Sequence, residues 1–216
     1  MINIAIDGPA GAGKSTIAKL VAKTKGFIYV DTGAMYRTMA LACLRAQVNL
    51  ADEESVSKVC DSVSVELEYI DGVQHVYLNG EDVSADIRQE EVGNAASTIA
   101  VYEAVRKKLV SMQRKIASEK NVVMDGRDIG SKVLPNANLK IYLTASSKTR
   151  ALRRYKELVE KGQECNIDDI EKDIIDRDYR DMHRDISPLV QAKDAVLVDS
   201  SDMTINEVVE KIVSLV

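Results

Sequence analysis

A run of small residues near the start of the chain, GPAGAGKST (residues 8–16), separates an apolar stretch from a helical pattern. The apolar stretch INIAI is typical of a buried strand, and residues 14–25 place their apolar side chains on one helical face. The run fits G-x-x-x-x-G-K-[ST], in which backbone N–H groups and a helix N-terminus surround phosphate oxygens. A phosphate-binding loop between a strand and a helix therefore predicts an α/β fold that holds a nucleoside triphosphate.

Each residue of this loop is predicted to contact ATP. The predicted ATP site consists of Gly8, Pro9, Ala10, Gly11, Ala12, Gly13, Lys14, Ser15 and Thr16. Lys14 is expected to reach the β- and γ-phosphates. The hydroxyl that ligates Mg²⁺ directly could come from Ser15 or Thr16, and the motif favours Ser15.

The rest of the chain alternates short apolar runs with helical patterns, which is typical of a parallel sheet with helices on both faces. The predicted strands after the first are FIYV (27–30), VVMD (122–125), LKIYL (139–143) and AVLVD (195–199). From residue 62 the pattern differs, because alternating runs are separated by the turn dipeptides Asp71-Gly72 and Asn79-Gly80. We therefore expect an antiparallel meander of about three strands inserted in the α/β scheme. Residues 204–207 (TINE) predict a capping box at the start of the last helix.

Composition bounds the class of protein. The chain has 216 residues, 45% of them hydrophobic and 29% charged, which suits one globular domain. A net charge of −5 argues against a nucleic-acid partner. No apolar run reaches membrane-spanning length and no signal segment is present, so we expect a cytoplasmic protein without a membrane partner. We also expect a monomer. The widely spaced Cys43, Cys60 and Cys165 predict free thiols.

Several classes of protein share the phosphate-binding loop. A GTPase switch needs an Asn-Lys-x-Asp segment after a later strand, and none is present. A motor is normally larger, so a small-molecule kinase is favoured. Three alternatives stay open: a kinase for another acceptor such as UMP or a hydroxy acid, a nucleotide switch without an acceptor, and a nucleic-acid-associated protein.

Two motifs after strands supply further charged groups. In DTGAMYR (31–37), Arg37 lies one helical turn in and could hold an acceptor phosphate, with the Thr32 hydroxyl beside it. In VVMDGRDIG (122–130), Asp125 ends a strand, where such proteins place the acid that organises Mg²⁺ through water. Arg127 and Asp128 follow, at the carboxyl edge where open α/β sheets bind ligands.

Two arginine-rich helical patterns predict a lid that closes over phosphates. Arg150, Arg153 and Arg154 share one helical face. The second stripe consists of Arg177, Arg180, Asp181 and Arg184, and a polar turn over residues 161–166 joins the two patterns. His75 and His183 have no partner at catalytic spacing and are interpreted as structural or solvent-facing.

Taken in order, these motifs resemble one family. GPAGAGKS, DTGAMYR, NGEDVS, IR, NAAS, DGRDIG and DRDYRD…R…PL occur in the order found in the bacterial cytidylate kinases, within the nucleoside monophosphate kinase group. The resemblance runs nearly the full length, and the meander resembles the insert that distinguishes this family from the shorter adenylate and uridylate kinases. Thr32 stands where members often have serine, and Ser15 where some have glycine, so a hydroxyl is kept at both positions.

The resemblance implies transfer of the ATP γ-phosphoryl group to CMP or dCMP, with Mg²⁺, in pyrimidine nucleotide metabolism. Ser97, Arg106 and Asp128 match residues that read cytosine, and Arg37, Arg127 and Arg184 match arginines that hold phosphate. Arg177 and Asp181 match contacts to the sugar. The residues expected to act in catalysis are Lys14, Arg127, Arg177 and Arg184.

The same resemblance implies a single kinase domain over residues 1–216. Its core is expected to comprise residues 1–60, 98–150 and 190–216. We expect the β insert and the nucleoside-monophosphate-binding region at about 61–97, and the lid at about 150–186.

Overall fold

The computed structural model describes all residues from 1 to 216. Eight α-helices, α1 to α8 in chain order, span Lys14–Lys25, Thr32–Arg45, Glu53–Ser62, Glu90–Ile99, Glu103–Glu119, Ser147–Glu160, Ile167–His183 and Ile205–Val213. A 3₁₀ helix spans Asp86–Arg88, and a π-helix spans Ile129–Val133. Eight strands, β1 to β8, span Asn3–Asp7, Ile28–Asp31, Val65–Ile70, Val73–Leu78, Glu81–Asp82, Val122–Gly126, Leu139–Thr144 and Val196–Asp199. No helix combines the length and the apolar character needed to cross a membrane.

The strands form a five-stranded sheet in the order β2-β6-β1-β7-β8 and a three-stranded sheet in the order β3-β4-β5. In the larger sheet β1 pairs in parallel with β6 and β7, and β7 pairs in parallel with β8. In the smaller sheet all pairs are antiparallel. The predicted fold class, a P-loop NTPase-type parallel sheet flanked by helices with a small antiparallel insert, is confirmed, and α6 and α7 lie where the helical lid was predicted.

The chain divides into two compact units. The first unit comprises Met1–Tyr29 and Asn121–Val216, and the second comprises Val30–Lys120. In the first unit α1 and α8 contribute Ile17, Val21, Val208 and Ile212 to a core with the sheet residues Ile4, Ile6 and Leu143. The carboxyl ends of β1 and β6 in this unit carry the phosphate-binding loop and the Asp-Gly-Arg-Asp segment.

The second unit has its own core. Met35, Met39 and Cys43 of α2 pack with residues of α3, α4, α5 and the smaller sheet, including Val76 and Leu109. The hairpin between β3 and β4 turns at Asp71 and Gly72, which both have positive φ, as do Asn79 and Gly80 at the next turn. This geometry is the one that Asp-Gly and Asn-Gly favour, and it confirms both predicted turns.

Some elements differ from the sequence patterns. β1 begins at Asn3 and ends at Asp7, one residue later at both ends than INIAI, and β2 likewise ends at Asp31. The last strand of the meander, β5, has only two residues. Helices α3 and α4, of ten residues each, are present where no helix was predicted. The capping box of Thr204 and Glu207 is present as predicted.

Candidate active site

The phosphate-binding loop joins β1 to α1 in the first unit. A side chain at Gly8 would place its Cβ 1.9 Å from the Leu143 carbonyl oxygen, so only glycine fits against β7. Gly13 precedes α1 with φ of 86°, in the left-handed region that glycine adopts without strain. The glycines of the motif are therefore required by close backbone approach at one end and by the helix start at the other.

Lys14 is the buried cation of this loop. Its Nζ donates a hydrogen bond of 2.7 Å to the Pro9 carbonyl oxygen, and the residue is 6% exposed. Burial lowers the pKa of the Lys14 ammonium to about 7, and Arg127 acts in the same direction against the attraction of Asp125. Phosphate oxygens would favour the charged form of this ammonium, because they add negative charge where little water is available.

Ser15 and Asp125 supply the oxygen ligands of a candidate metal site. The Ser15 hydroxyl donates to Asp125 Oδ2 at 2.9 Å, and the Tyr29 hydroxyl donates to Asp125 Oδ1 at 2.8 Å. A hydroxyl and a carboxylate side by side are hard oxygen ligands of the kind that Mg²⁺ takes together with waters and phosphate oxygens. The residues therefore fit this ion, and Tyr29 fixes the orientation of the carboxylate.

Asp7, at the end of β1, was not identified from the sequence. Its two carboxylate oxygens accept hydrogen bonds from the backbone N–H groups of Ile129 and Gly130, at 2.8 and 2.7 Å. Burial raises the pKa of the Asp7 carboxyl to about 6, although these two hydrogen bonds lower it. Asp7 thus fixes the start of the π-helix Ile129–Val133, which follows the buried Asp128. An acidic residue that ends a buried strand was the only sequence signal.

Arg127 pairs with Asp181 of α7 in the same unit. Arg127 Nε lies 2.8 Å from Asp181 Oδ2. Burial works to raise the pKa of Asp181, but the positive charges of Arg127 and Arg177 outweigh it and hold that pKa below its usual value. Arg184 follows the end of α7, and its Nε donates to the Ser187 carbonyl oxygen at 2.6 Å. Asp181 thus lies among three positive charges, those of Arg127, Arg177 and Arg184.

The three arginines of α6 have different environments. Arg150 is buried, donates to the Ala10 carbonyl oxygen at 2.9 Å and pairs with Asp178 at 2.6 Å. Arg153 donates to the Ser200 carbonyl oxygen at 2.7 Å, whereas Arg154 pairs with Glu157 on the surface. All three line a cavity of about 600 Å³ together with the phosphate-binding loop. Arg150 differs from the expected lid arginine because its guanidinium braces the loop backbone.

The remaining predicted site residues lie in the second unit. Asp31 caps α2 by accepting from the Ala34 N–H, and its other carboxylate oxygen lies 3.0 Å from Arg37 Nη2. Thr32, the first residue of α2, is buried. Ser97 lies on α4 and is half-buried. Arg106 on α5 is buried, and its Nη1 lies 3.4 Å from the Ala100 carbonyl oxygen.

Comparisons with known proteins agree with this arrangement. The sequence model of a family described as cytidylate kinase matches residues 4–216. The chain belongs to the cytidylate kinase family. The cytidylate kinase of Ligilactobacillus salivarius is 50% identical over 215 residues, covering 100% of this chain and 96% of the relative. That of Leuconostoc mesenteroides is 49% identical, covering 99% and 95%.

A solved structure shares the fold at much lower sequence similarity. Shikimate kinase from Bacteroides thetaiotaomicron matches with a TM-score of 0.50 and 13% identity, covering 99% of this chain and 97% of the shikimate kinase chain. At this identity the likeness concerns the fold alone. Both predictions, membership of the cytidylate kinase family and a P-loop NTPase-type fold, are confirmed.

Within this family framework the predicted residues fall into two groups, one in each compact unit. The first unit holds the phosphate-binding loop, Asp125, Arg127, Asp128, Arg177, Asp181 and Arg184. The second holds Thr32, Arg37, Ser97 and Arg106. Neither histidine belongs to these groups. His75 pairs with Asp82, and the exposed His183 stacks on Tyr179. The three cysteines are free thiols, as predicted.

Proposed function

We propose that this chain transfers the γ-phosphoryl group of ATP to CMP or dCMP, giving ADP and CDP or dCDP. The observation that carries the proposal is the set of charged side chains around the phosphate-binding loop in a member of the cytidylate kinase family. The acceptor is itself a phosphate, so the chemistry needs cations more than it needs a base.

On the donor side, the loop N–H groups and Lys14 hold the ATP phosphates. Lys14 exchanges its hydrogen bond with the Pro9 carbonyl oxygen for phosphate oxygens, and its charge then neutralises the transferring group. Ser15 would hold Mg²⁺ directly and Asp125 would hold it through water. Held by these two residues, the ion would supply positive charge against the negative charge that develops on the transferring phosphoryl group.

On the acceptor side, the proposal assigns phosphate binding to Arg37, Arg127 and Arg184. An oxygen of the CMP phosphate forms the new bond to the γ-phosphorus while the bond from that phosphorus to the β,γ-bridging oxygen breaks. ADP leaves with the electron pair of the broken bond. The acceptor oxygen is already anionic, so in-line positioning and charge neutralisation supply most of the acceleration.

Base and sugar recognition are assigned to the remaining residues. Asp128 would accept a hydrogen bond from the exocyclic amino group of cytosine. Ser97 and Arg106 would bond the other polar atoms of the base. Arg177 and Asp181 would contact the sugar, which requires Asp181 to share its carboxylate between the sugar and Arg127. With α6 and α7 as the lid, at about residues 150–186, closure would exclude water as a competing acceptor.

The proposal keeps the other expectations of the sequence: a β insert and nucleoside-monophosphate-binding region at about 61–97, a monomer, a cytoplasmic location, and ATP with Mg²⁺ and CMP or dCMP as the ligands. No nucleic acid or membrane is part of it.

One coupled assay of ADP release tests the function. ATP and Mg²⁺ are supplied with CMP, dCMP, UMP or AMP in turn, and with no acceptor. We expect rapid release with CMP and dCMP and slow release otherwise. Faster release with UMP or AMP would assign another acceptor, and release that no acceptor accelerates would indicate a nucleotide switch.

A further inference from the structure

The tip of the β3–β4 hairpin contacts the start of α2 through one side chain. Gln74, the second residue of β4, accepts a hydrogen bond from the Asp31 backbone N–H at 2.9 Å through its Oε1. Its Nε2 donates to the Asp31 carbonyl oxygen at 3.3 Å. The amide side chain therefore meets both backbone polar groups of one residue, as the backbone of a neighbouring strand would.

This pairing suits the position of Asp31 in the chain. Asp31 is the last residue of β2, an outer strand of the five-stranded sheet, and also the residue that caps α2. An outer strand leaves a row of backbone groups without a strand partner. Gln74 satisfies the two such groups that belong to Asp31, and so restrains the backbone where the strand becomes a helix.

The carboxylate of Asp31 in turn holds cationic side chains. Its Oδ1 accepts from the Ala34 N–H at 2.8 Å, which fixes its rotation. Its Oδ2 lies 3.0 Å from Arg37 Nη2 and 3.6 Å from Arg88 Nη1. Any shift of the Asp31 backbone therefore moves the anion against which Arg37 is oriented.

We propose that the β3–β4 hairpin positions the acceptor-phosphate arginine, with Gln74 holding Asp31 and Asp31 holding Arg37. Gln74 is thus a positioning residue that touches no substrate. This inference rests on the proposed function, in which Arg37 binds the CMP phosphate, and it gives the β insert a purpose in that reaction. The affinity for CMP should depend on Gln74, whereas the affinity for ATP should not.

The test replaces Gln74 by Met, which keeps the length of the side chain and removes both hydrogen-bonding groups. Val73→Thr serves as the matched control, because Val73 is the adjacent strand residue, is 59% exposed and keeps a β-branched side chain on substitution. Steady-state kinetics with CMP and with ATP are measured for both variants. The Gln74 substitution is then repeated in an Arg37→Ala background.

We expect Gln74→Met to raise the KM for CMP by roughly two- to fivefold, because Gln74 acts only through the partly exposed ion pair of Asp31 with Arg37. The kcat and the KM for ATP should stay within about twofold of wild type, and Val73→Thr should leave all constants unchanged. In the Arg37→Ala background Gln74→Met should add no further rise, because the residue it positions is gone. An unchanged KM, or an equal rise with and without Arg37, would overturn the inference.

A second variant, Gln74→Glu, keeps the test decisive if Gln74→Met fails to fold, because the glutamate side chain has nearly the same shape as glutamine. It turns a carboxylate oxygen toward the Asp31 carbonyl oxygen, so the KM for CMP should rise at least as much as in Gln74→Met. A Gln74→Glu variant with the wild-type KM would overturn the inference. A wild-type chain without CMP-dependent ADP release would overturn the proposed function and this inference with it, whereas an active wild type with unaffected variants would overturn the inference alone.

Discussion

Asp7 and Asp31 have the same place in the sequence pattern and different surroundings. Each ends a short apolar strand and precedes a segment assigned to phosphate binding. Asp7 bonds two backbone N–H groups of a distant turn and has a raised pKa near 6. Asp31 caps the helix that follows it and pairs with arginine side chains. Both carboxylates bond backbone N–H groups, and that of Asp31 also pairs with two arginine side chains.

The same contrast separates two regions. The donor region is the phosphate-binding loop (residues 8–16) with its contacts in the first unit, and the acceptor region is the start of α2 with Asp31 and Arg37 in the second. In the donor region, Lys14 and Arg150 contact backbone carbonyl oxygens of the phosphate-binding loop, so its groups are fixed before ATP arrives. In the acceptor region, Arg37 is oriented by the side chain of Asp31 and is partly exposed. Backbone contacts fix a position, whereas a pair of side chains can readjust around a ligand. The donor region should therefore tolerate substitution less than the acceptor region.

The largest expected effect is that of Lys14→Ala in the donor region. Loss of this buried charge should lower kcat at least about a hundredfold, because the cation acts where charge develops in the transition state. The affinity for CMP, measured by calorimetry, should remain close to wild type. Retention of more than about a tenth of the wild-type rate would contradict the role assigned to Lys14.

Asp128→Asn should narrow the preference for cytosine. The carboxylate attracts the exocyclic amino group of CMP and repels the carbonyl of UMP. A charge-assisted contact of this kind is worth on the order of 1.5–3 kcal/mol, or roughly ten- to over a hundredfold in kcat/KM for CMP. The measurement is kcat/KM for CMP and for UMP in parallel. An equal loss for both would place Asp128 on the phosphate or the metal instead.

Asp7→Asn tests whether the Asp7 carboxyl is a buried group with a raised pKa, through the pH dependence of the free energy of unfolding. The folded-state pKa of Asp7, about 6, lies above the usual 3.8, so folding takes up a proton between these values. The contribution of this group to stability is full below pH 3.8 and is lost as the pH rises through 6. Between pH 5 and 7, the free energy of unfolding of wild type should fall by about 1.4 kcal/mol relative to that of Asp7→Asn. This is the value of one pH unit, because the folded and unfolded states differ by a proton only up to the folded-state pKa near 6.

Urea unfolding at both pH values measures this difference, and Asp202→Asn provides a control at an exposed aspartate of the same unit. If the stabilities of wild type and Asp7→Asn run parallel between the two pH values, the carboxylate is not the buried, titrating group described above.

The smallest expected effect is that of Asp31→Asn in the acceptor region. Asparagine still caps α2 well, but it weakens the ion pair with the partly exposed Arg37. Such a pair is worth up to about 1 kcal/mol, so the KM for CMP should rise about two- to fivefold while the KM for ATP stays unchanged. A larger effect from Asp31→Asn than from Lys14→Ala would reverse the comparison between the regions.

Local patterns predicted much of this molecule. The strand–loop–helix motif, the Asp-Gly and Asn-Gly turns and the capping box of Thr204 each depend on neighbouring residues, and the structure has all of them. The ordered set of short motifs predicted the family. Helices α3 and α4 were missed, although the sequence does contain a signal for α4, since its buried residues Val92, Ala95, Ala96 and Ile99 follow a helical spacing.

The amino-acid sequence by itself determined which residue types stand at the strand ends and where the glycines permit a phosphate-binding loop. The tertiary structure alone decided what each charged side chain contacts. Asp7 meets Ile129 across 122 positions, Ser15 meets Asp125 across 110 and Arg150 meets Ala10 across 140. Strand order brings such residues together, and strand order follows from the packing of the whole sheet. For this reason two aspartates in equivalent local patterns came to have different partners, backbone N–H groups of a distant segment for Asp7 and arginine side chains for Asp31.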